Sequence, residues 1–457
     1  MVERIERTRG KPIRFTFDGR AIEAHEGETL AAALHAARVK VLSRSLRYHR
    51  PRGLFCNAGA CANCVVRVDG RPSVRACLEP ARAGAVVESQ NAWPSAATDV
   101  FGLLDRAYPR YLDYHTQFAR FPVARDVQKI VVRRMAGRGE LPSIPAEATP
   151  AVPVREGTAD VLVVGAGPAG LAAAVAAAAA GARTVLLESS PRAGGRLRTW
   201  TRAVAGAPDG PAALADLLDR AGRHRVEIRT STEAVAWYAE ESRLVSMDAE
   251  GLAAWRAGAI VLATGSYENP PLVPSNDLPG VFGARGAIAL LADHGVLPGK
   301  RVVVAGATPD GLVACEALVA AGADVTLVDE GVKPAWDPPA RVVRLEGRRV
   351  AAVLGATQVE AVEVERAGVV ERLDADALLA AHDATPRPEL LQQTGAPVAF
   401  DAAKGGFHAV VDGTGWTGVG AFHAAGAAAG SRNVETSLAE GARAGAAAAR
   451  RAMEATR

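Results

Sequence analysis

The sequence predicts an α/β chain carrying a smaller α+β domain at its N-terminus, on three observations. Four of the five cysteines crowd into the stretch from Gly53 to Cys77. Residues 160–188 read as strand, glycine turn, small-residue helix, strand and acid, and residues 301–329 repeat that order at a constant offset of 141. With 457 residues, 49% of them hydrophobic, and a mean hydropathy of +0.06, the chain has apolar material for several packed cores.

Charge narrows the partners. The 53 basic and 50 acidic residues are well mixed and leave a net charge of +3, so no nucleic-acid or membrane footprint follows. MVERIERTRGK at the start carries charge without the apolar stretch of a leader, and a cytoplasmic location is expected. The run LAAAVAAAAAGA from Leu171 is apolar but framed by glycines and strands, which reads as a buried helix.

In the N-terminal domain, Ile13, Phe15 and Phe17 alternate before Asp18-Gly19, a hairpin signal. ETLAAALHAARV, from Glu28, offers Leu30, Leu34 and Val39 to one helical face. Then comes CxxxxCxxC, made by Cys56, Cys61 and Cys64, with Cys77 following after twelve intervening residues. That spacing lets one tight loop bring three thiolates to an iron pair while a fourth returns on the next strand. Gly53, Gly59 and the alanines 58, 60 and 62 let the loop close and turn its amides toward the sulfides, which tunes the reduction potential. The pattern points to a plant-type [2Fe-2S] site. A structural zinc or two disulfides are the alternatives, but zinc sites pair CxxC with CxxC and nothing suggests an oxidising compartment. Val65, Val66 and Val68 form the strand after the loop, and Asp69-Gly70 turns it toward Cys77. This order resembles a β-grasp ferredoxin over residues 10–95.

Residues 96–157 read as a connecting segment. Phe101, Tyr108, Tyr111, Tyr114, Phe118 and Phe121 fall at helical spacing, which suits packing within the chain or docking of a second protein. Pro142, Pro145, Pro150 and Pro153 mark an extended linker.

The first dinucleotide unit is assigned to residues 158–268 and 384–457. Gly165 makes the tight turn, Gly167 admits a pyrophosphate to the backbone, and Gly170 lets helix pack on strand. The helix start then faces the phosphates. Glu188, 18 residues beyond Gly170, is placed to accept both hydroxyls of an adenosine ribose. Gly194, Gly195 and Arg196 offer a second backbone stretch and a cation to a diphosphate, which favours a flavin dinucleotide over a simple nicotinamide site. The strand AIVLATG ends in Thr264-Gly265, where the chain leaves for an inserted unit, residues 269–383. There Gly306, Gly311 and Asp329 repeat Gly165, Gly170 and Glu188, but Thr308 replaces Gly167. Its Cβ counts against nicotinamide binding, and Asp329 would select NAD over NADP if anything binds. Cys315 reads as a small buried hydrophobe. After a short strand, the glycine-rich turn at Gly426 leads into an amphipathic helix whose N-terminus can face a flavin. No CxxC lies between Gly165 and Arg457, which excludes dithiol chemistry, and His294, His382, His408 and His423 read as ordinary polar or core residues.

Taken together, the cysteine domain, GAGPAG, ATG and the degenerate second motif resemble, over essentially the whole chain, a known subunit family. It comprises the α subunit of heteromeric sarcosine oxidase and the related subunits of opine oxidase, D-hydroxyproline dehydrogenase and hydrogen cyanide synthase. The resemblance implies a β-grasp [2Fe-2S] domain followed by a glutathione-reductase-type flavoprotein fold with two Rossmann-like domains. It implies FAD, or another adenine nucleotide, at the first site, with FMN at a subunit interface in some relatives. Two-domain flavoproteins usually carry Gly-Asp at the last turn, where this chain has Gly426-Ala427. The likeness to sarcosine oxidase α is confined to the N-terminal half of that protein, so no folate chemistry is expected. The implied function is an electron-transfer α-type subunit of a hetero-oligomeric amino-acid or amine dehydrogenase or oxidase, for sarcosine, proline, hydroxyproline or opine substrates. An FAD-dependent β subunit of the amine-oxidase type would oxidise the amine, and its electrons would pass through the cluster. A self-contained NADH-dependent reductase fused to its ferredoxin, and a structural nucleotide-binding scaffold, are the other classes open to these residues.

Overall fold

Alternation in IRFTF becomes a hairpin: Pro12–Phe17 pairs antiparallel with Arg20–His25 around Asp18-Gly19, and Phe15, Phe17 and Ile22 are buried on its inner face. Thr29 caps the helix Leu30–Ala36, its hydroxyl accepting the Ala32 amide at 3.3 Å. The helix is shorter than its apolar spacing suggested. Arg38 adopts φ 63°, and the Val39 amide closes on the Leu34 carbonyl at 2.9 Å, so Val39 lies beyond the last turn. A five-stranded sheet runs in the order Arg20–His25, Pro12–Phe17, Val86–Glu88, Val65–Val68, Arg71–Arg75. The cysteine loop precedes its fourth strand in that order, and Cys77 lies just past the fifth.

The computed structural model describes residues 4–5, 9–45, 48–100, 123, 126, 153–382 and 384–455. The aromatic face from Phe101 to Phe121 and the linker prolines 142, 145 and 150 lie outside the described residues. The chain divides into two units, Met1–Thr149 with Pro270–His382, and Pro150–Asn269 with Asp383–Arg457. The cysteine domain thus shares a unit with the inserted dinucleotide fold.

In that first unit, a parallel sheet orders Val281–Gly283, Ala377–Ala380, Arg301–Ala305, Asp324–Asp329 and Val343–Glu346. The helix Ala284–His294 starts directly at the end of Val281–Gly283, and Pro309–Ala320 follows Arg301–Ala305. In the second unit, the sheet orders Glu227–Arg229, Thr184–Leu187, Arg155–Val164, Gly251–Leu262, Arg243–Asp248 and Glu233–Tyr238, and Phe422–Ala424 also pairs with Gly251–Leu262. The alanine run from Leu171 lies in the buried helix Pro168–Ala179. Across it packs Val434–Ala455 at close range: a Cβ on Gly441 would lie 2.0 Å from the Ala169 carbonyl oxygen, and one on Gly445 2.0 Å from that of Ala173. Among the described residues no helix is long and apolar enough to cross a membrane.

Candidate cofactor sites

The cysteine loop turns through Asn57 and Gly59, both at positive φ. Arg75 Nη1 fixes it by donating to the Gly59 carbonyl at 2.6 Å. Cys56, Cys64 and Cys77 are buried and Cys61 is half-buried. Cys56 is hydrogen-bonded with Cys61 and Cys77, and Cys64 with Cys77. These hydrogen bonds hold the Cys56 and Cys64 thiols below their ordinary pKa and push those of Cys61 and Cys77 up. The backbone amides of Ala58 and Cys61 also point at Cys56 sulfur, and that of Asn63 at Cys61. Among the described residues no three metal-binding side chains gather at one ion position. The four thiols instead converge on one another, Cys56 facing both Cys61 and Cys77 and Cys77 facing Cys64 as well, a donor set of four that fits an iron pair.

In the second unit, Arg155–Val164 delivers Gly165 at φ 98°, with room for no Cβ because the Ala263 carbonyl oxygen would be 2.4 Å away. Gly170 presses on the Gly165 carbonyl. Gly167 is different: nothing described lies within 4 Å of where its Cβ would be, so the space beside the helix start is open to a ligand. A second backbone stretch borders that space. The Gly194 amide donates to the Ala166 carbonyl at 2.7 Å, and a Cβ on Gly195 would meet Gly167 Cα at 2.9 Å. The Glu188 carboxylate accepts from the amides of Ala166 (2.7 Å) and Ser190 (2.8 Å), which fixes it at the strand end beside the turn. These residues fit an adenine dinucleotide.

Arg196 is tied to the C-terminal part of the chain and to a neighbouring indole. Its Nη1 donates to the Arg432 carbonyl at 2.9 Å, and its guanidinium lies 5.3 Å from the Trp200 ring centroid. Thr264 Oγ1 donates to the Arg387 carbonyl at 2.7 Å while the Arg387 amide donates to the Gly265 carbonyl at 3.0 Å, so this turn clamps the returning chain. The Gly426 amide donates to Glu440 Oε2 at 3.0 Å, bringing a carboxylate to the turn that lacks Asp at 427. Burial pushes the Glu440 carboxyl up, against the Gly426 amide and the Arg443 and Lys404 charges. Glu440, Arg387 and the Gly441/Gly445 pair escaped the sequence reading. Only the last left a signal, two glycines four apart on one helix face.

The inserted copy has the same backbone plan. A Cβ on Gly306 would lie 2.6 Å from the Ala381 carbonyl oxygen, and one on Gly311 2.2 Å from that of Gly306. Its ligand-facing groups are otherwise engaged. Thr308 Oγ1 donates to the Ala381 carbonyl at 2.7 Å and accepts the Gly311 amide at 3.3 Å, capping the helix itself. Asp310 adds a negative charge to the first turn, paired with Arg285 at 3.6 Å. Asp329 is buried, with the Gly331 amide at 2.8 Å on one oxygen and Arg344 Nε at 2.8 Å on the other; where Glu188 is held by backbone amides alone, Asp329 is paired with a cation that competes with a ribose.

Fold and sites together define an oxidoreductase with an iron–sulfur domain and a nucleotide domain. Residues 10–92 match the 2Fe-2S iron-sulfur cluster binding domain, and residues 159–449 match the pyridine nucleotide-disulphide oxidoreductases. The chain belongs to the pyridine nucleotide-disulphide oxidoreductase family; it carries a 2Fe-2S domain with its cluster, and its nucleotide domain takes FAD or a related nucleotide. The only cysteine within 159–449 is Cys315, buried and pushed up to about 12 by desolvation and Glu316, so family membership brings no dithiol pair.

The kinship suggested by the motifs is found. The chain is 34% identical to the alpha subunit of the sarcosine oxidase of Rhizobium meliloti (strain 1021), over 87% of this chain and 42% of that one. It is 36% identical to an opine oxidase subunit of Agrobacterium tumefaciens (strain Ach5), over 38% of this chain and 37% of that one. It spans less than half the length of the sarcosine oxidase subunits it matches. The solved L-proline dehydrogenase from P. horikoshii shares the fold, with a TM-score of 0.70 at 22% identity over 96% of this chain and 73% of that one.

Proposed function

We propose that the chain is the electron-transfer subunit of a hetero-oligomeric, cytoplasmic amine or amino-acid dehydrogenase or oxidase, with substrates of the sarcosine, proline, hydroxyproline or opine class. Its partner is an FAD-dependent β subunit of the amine-oxidase type. Cys56, Cys61, Cys64 and Cys77 hold the cluster. Gly165, Gly167, Gly170, Glu188, Gly194 and Gly195 hold the adenine nucleotide.

The observation that carries this reading is a four-thiol centre in one chain with a second dinucleotide fold whose Asp329 is paired to Arg344 and whose helix start is capped by Thr308. The Thr308 cap and the Arg344–Asp329 pair count against NADH binding by that fold, which favours an electron donor outside the chain. The kinship with proteins named as subunits of sarcosine and opine oxidases supports the same reading. Amine oxidation releases two electrons and a 2Fe-2S centre takes one at a time, so a flavin belongs between them, either the partner's FAD or an FMN at the subunit contact.

Expressing the chain alone and with its co-purifying partner, then assaying dye reduction with sarcosine, proline, hydroxyproline and opines, tests the proposal. Amine-dependent turnover is expected only from the pair. Full turnover by the isolated chain would refute the subunit reading, and NADH-dependent turnover would favour a fused reductase.

A further inference from the structure

Doubly wound sheets hold their ligands at the carboxyl ends of their strands. In the inserted dinucleotide fold that edge is where Val281–Gly283 runs into the helix Ala284–His294, beside the start of Pro309–Ala320, with Arg285 and Asp310 pairing across the two helix starts. What lies against this edge is the cysteine loop of the same unit. The Gly283 amide donates to the Phe55 carbonyl at 3.2 Å. A Cβ on Gly286 would stand 2.6 Å from the Cys56 carbonyl oxygen and 2.7 Å from that of Phe55, so only glycine lets the helix come this near. Phe55 and Cys56 are buried in one apolar cluster with Leu278, Val281, Val303 and Ala305. Two flanking contacts secure the loop's surroundings: Arg50 and Arg52 each reach Asp277 Oδ2 at 3.4 Å, and the His35 ring meets Phe282 edge-on at 5.5 Å.

We propose that the carboxyl edge of the inserted dinucleotide fold serves as the mount of the [2Fe-2S] centre, and that Gly286 is the positioning residue that fixes its Cys56 ligand. The proposal rests on the cluster assignment above and adds a role for a fold whose own nucleotide groups are engaged. The helix start brings its positive end to the Phe55–Cys56 peptide. Reduction adds negative charge to the centre, so this contact favours the reduced form and raises the midpoint potential.

Gly286→Ala and Gly286→Val in the full chain, with its nucleotide content as the gauge of an intact fold, test this by EPR, redox titration and cluster loss to EDTA. A graded change is expected, larger for Val: altered g values, a lower midpoint potential, and cluster loss faster by roughly tenfold, the scale on which outer-shell partners of metal sites act. A residue with a merely structural role would lower the melting temperature and leave the g values and potential where they were. If Gly286→Val fails to fold, Gly286→Ala decides. Unchanged EPR, potential and loss rate in folded Gly286→Ala would overturn the proposal while leaving the cluster assignment standing. Absence of the EPR signal from the parent protein would remove the assignment itself, and the proposal with it.

Discussion

Cys61→Ser is expected to abolish the visible iron–sulfur absorption and the reduced-state EPR signal, whereas Cys315→Ser leaves both unchanged. The contrast follows from where the two thiols sit. Cys61 is half-buried and hydrogen-bonded to Cys56, inside a loop whose amides already face sulfur, so removing it takes one of the four ligands with little harm to packing. Cys315 is fully buried on the helix Pro309–Ala320, and its replacement costs about 1–3 kcal/mol of stability through an unmatched hydroxyl without touching a ligand. Absorption and EPR spectra of the two purified variants are the check. A cluster that persists without Cys61 would sink the ligand assignment.

Gly167→Val is expected to empty the first nucleotide site. At φ −77° the backbone accepts valine, and since nothing described lies within 4 Å of the added Cβ, the side chain extends into the space a pyrophosphate needs. An overlap worth only about 1.4 kcal/mol lowers affinity tenfold, and a blocked approach costs more. Nucleotide released from denatured protein should therefore fall by at least about tenfold in Gly167→Val and stay unchanged in Asp329→Ala. The reverse pattern would mean that the inserted copy is the binding site.

Local chemistry was legible in the sequence and long-range pairing was not. Asp18-Gly19, the valines before Asp69-Gly70, and the two strand–glycine–helix units reflect rules that act within a few residues, and the structure has those elements. The end of the first helix is unmarked in the sequence because Arg38 at φ 63° leaves no compositional sign, whereas a glycine there would. Arg196 sits in a suggestive motif, but its direction is decided by Arg432, more than two hundred residues away. Arg344 is only 15 residues from Asp329 and Glu440 only 14 from Gly426, but neither pairing follows a local rule; each depends on how separate elements meet in the fold. Nothing around Gly286 in the sequence marks the Cys56 carbonyl that lies against it in the fold.

If the chain is an electron-transfer subunit, electrons reach its cluster from an amine through a partner protein. Anaerobic addition of the amine substrate to the co-purified complex, followed by rapid freezing and EPR, tests it most directly. A reduced 2Fe-2S signal is expected that needs both amine and partner and is absent from Cys61→Ser. A cluster that stays oxidised while the amine is turned over, or one that NADH reduces in the isolated chain, would contradict it.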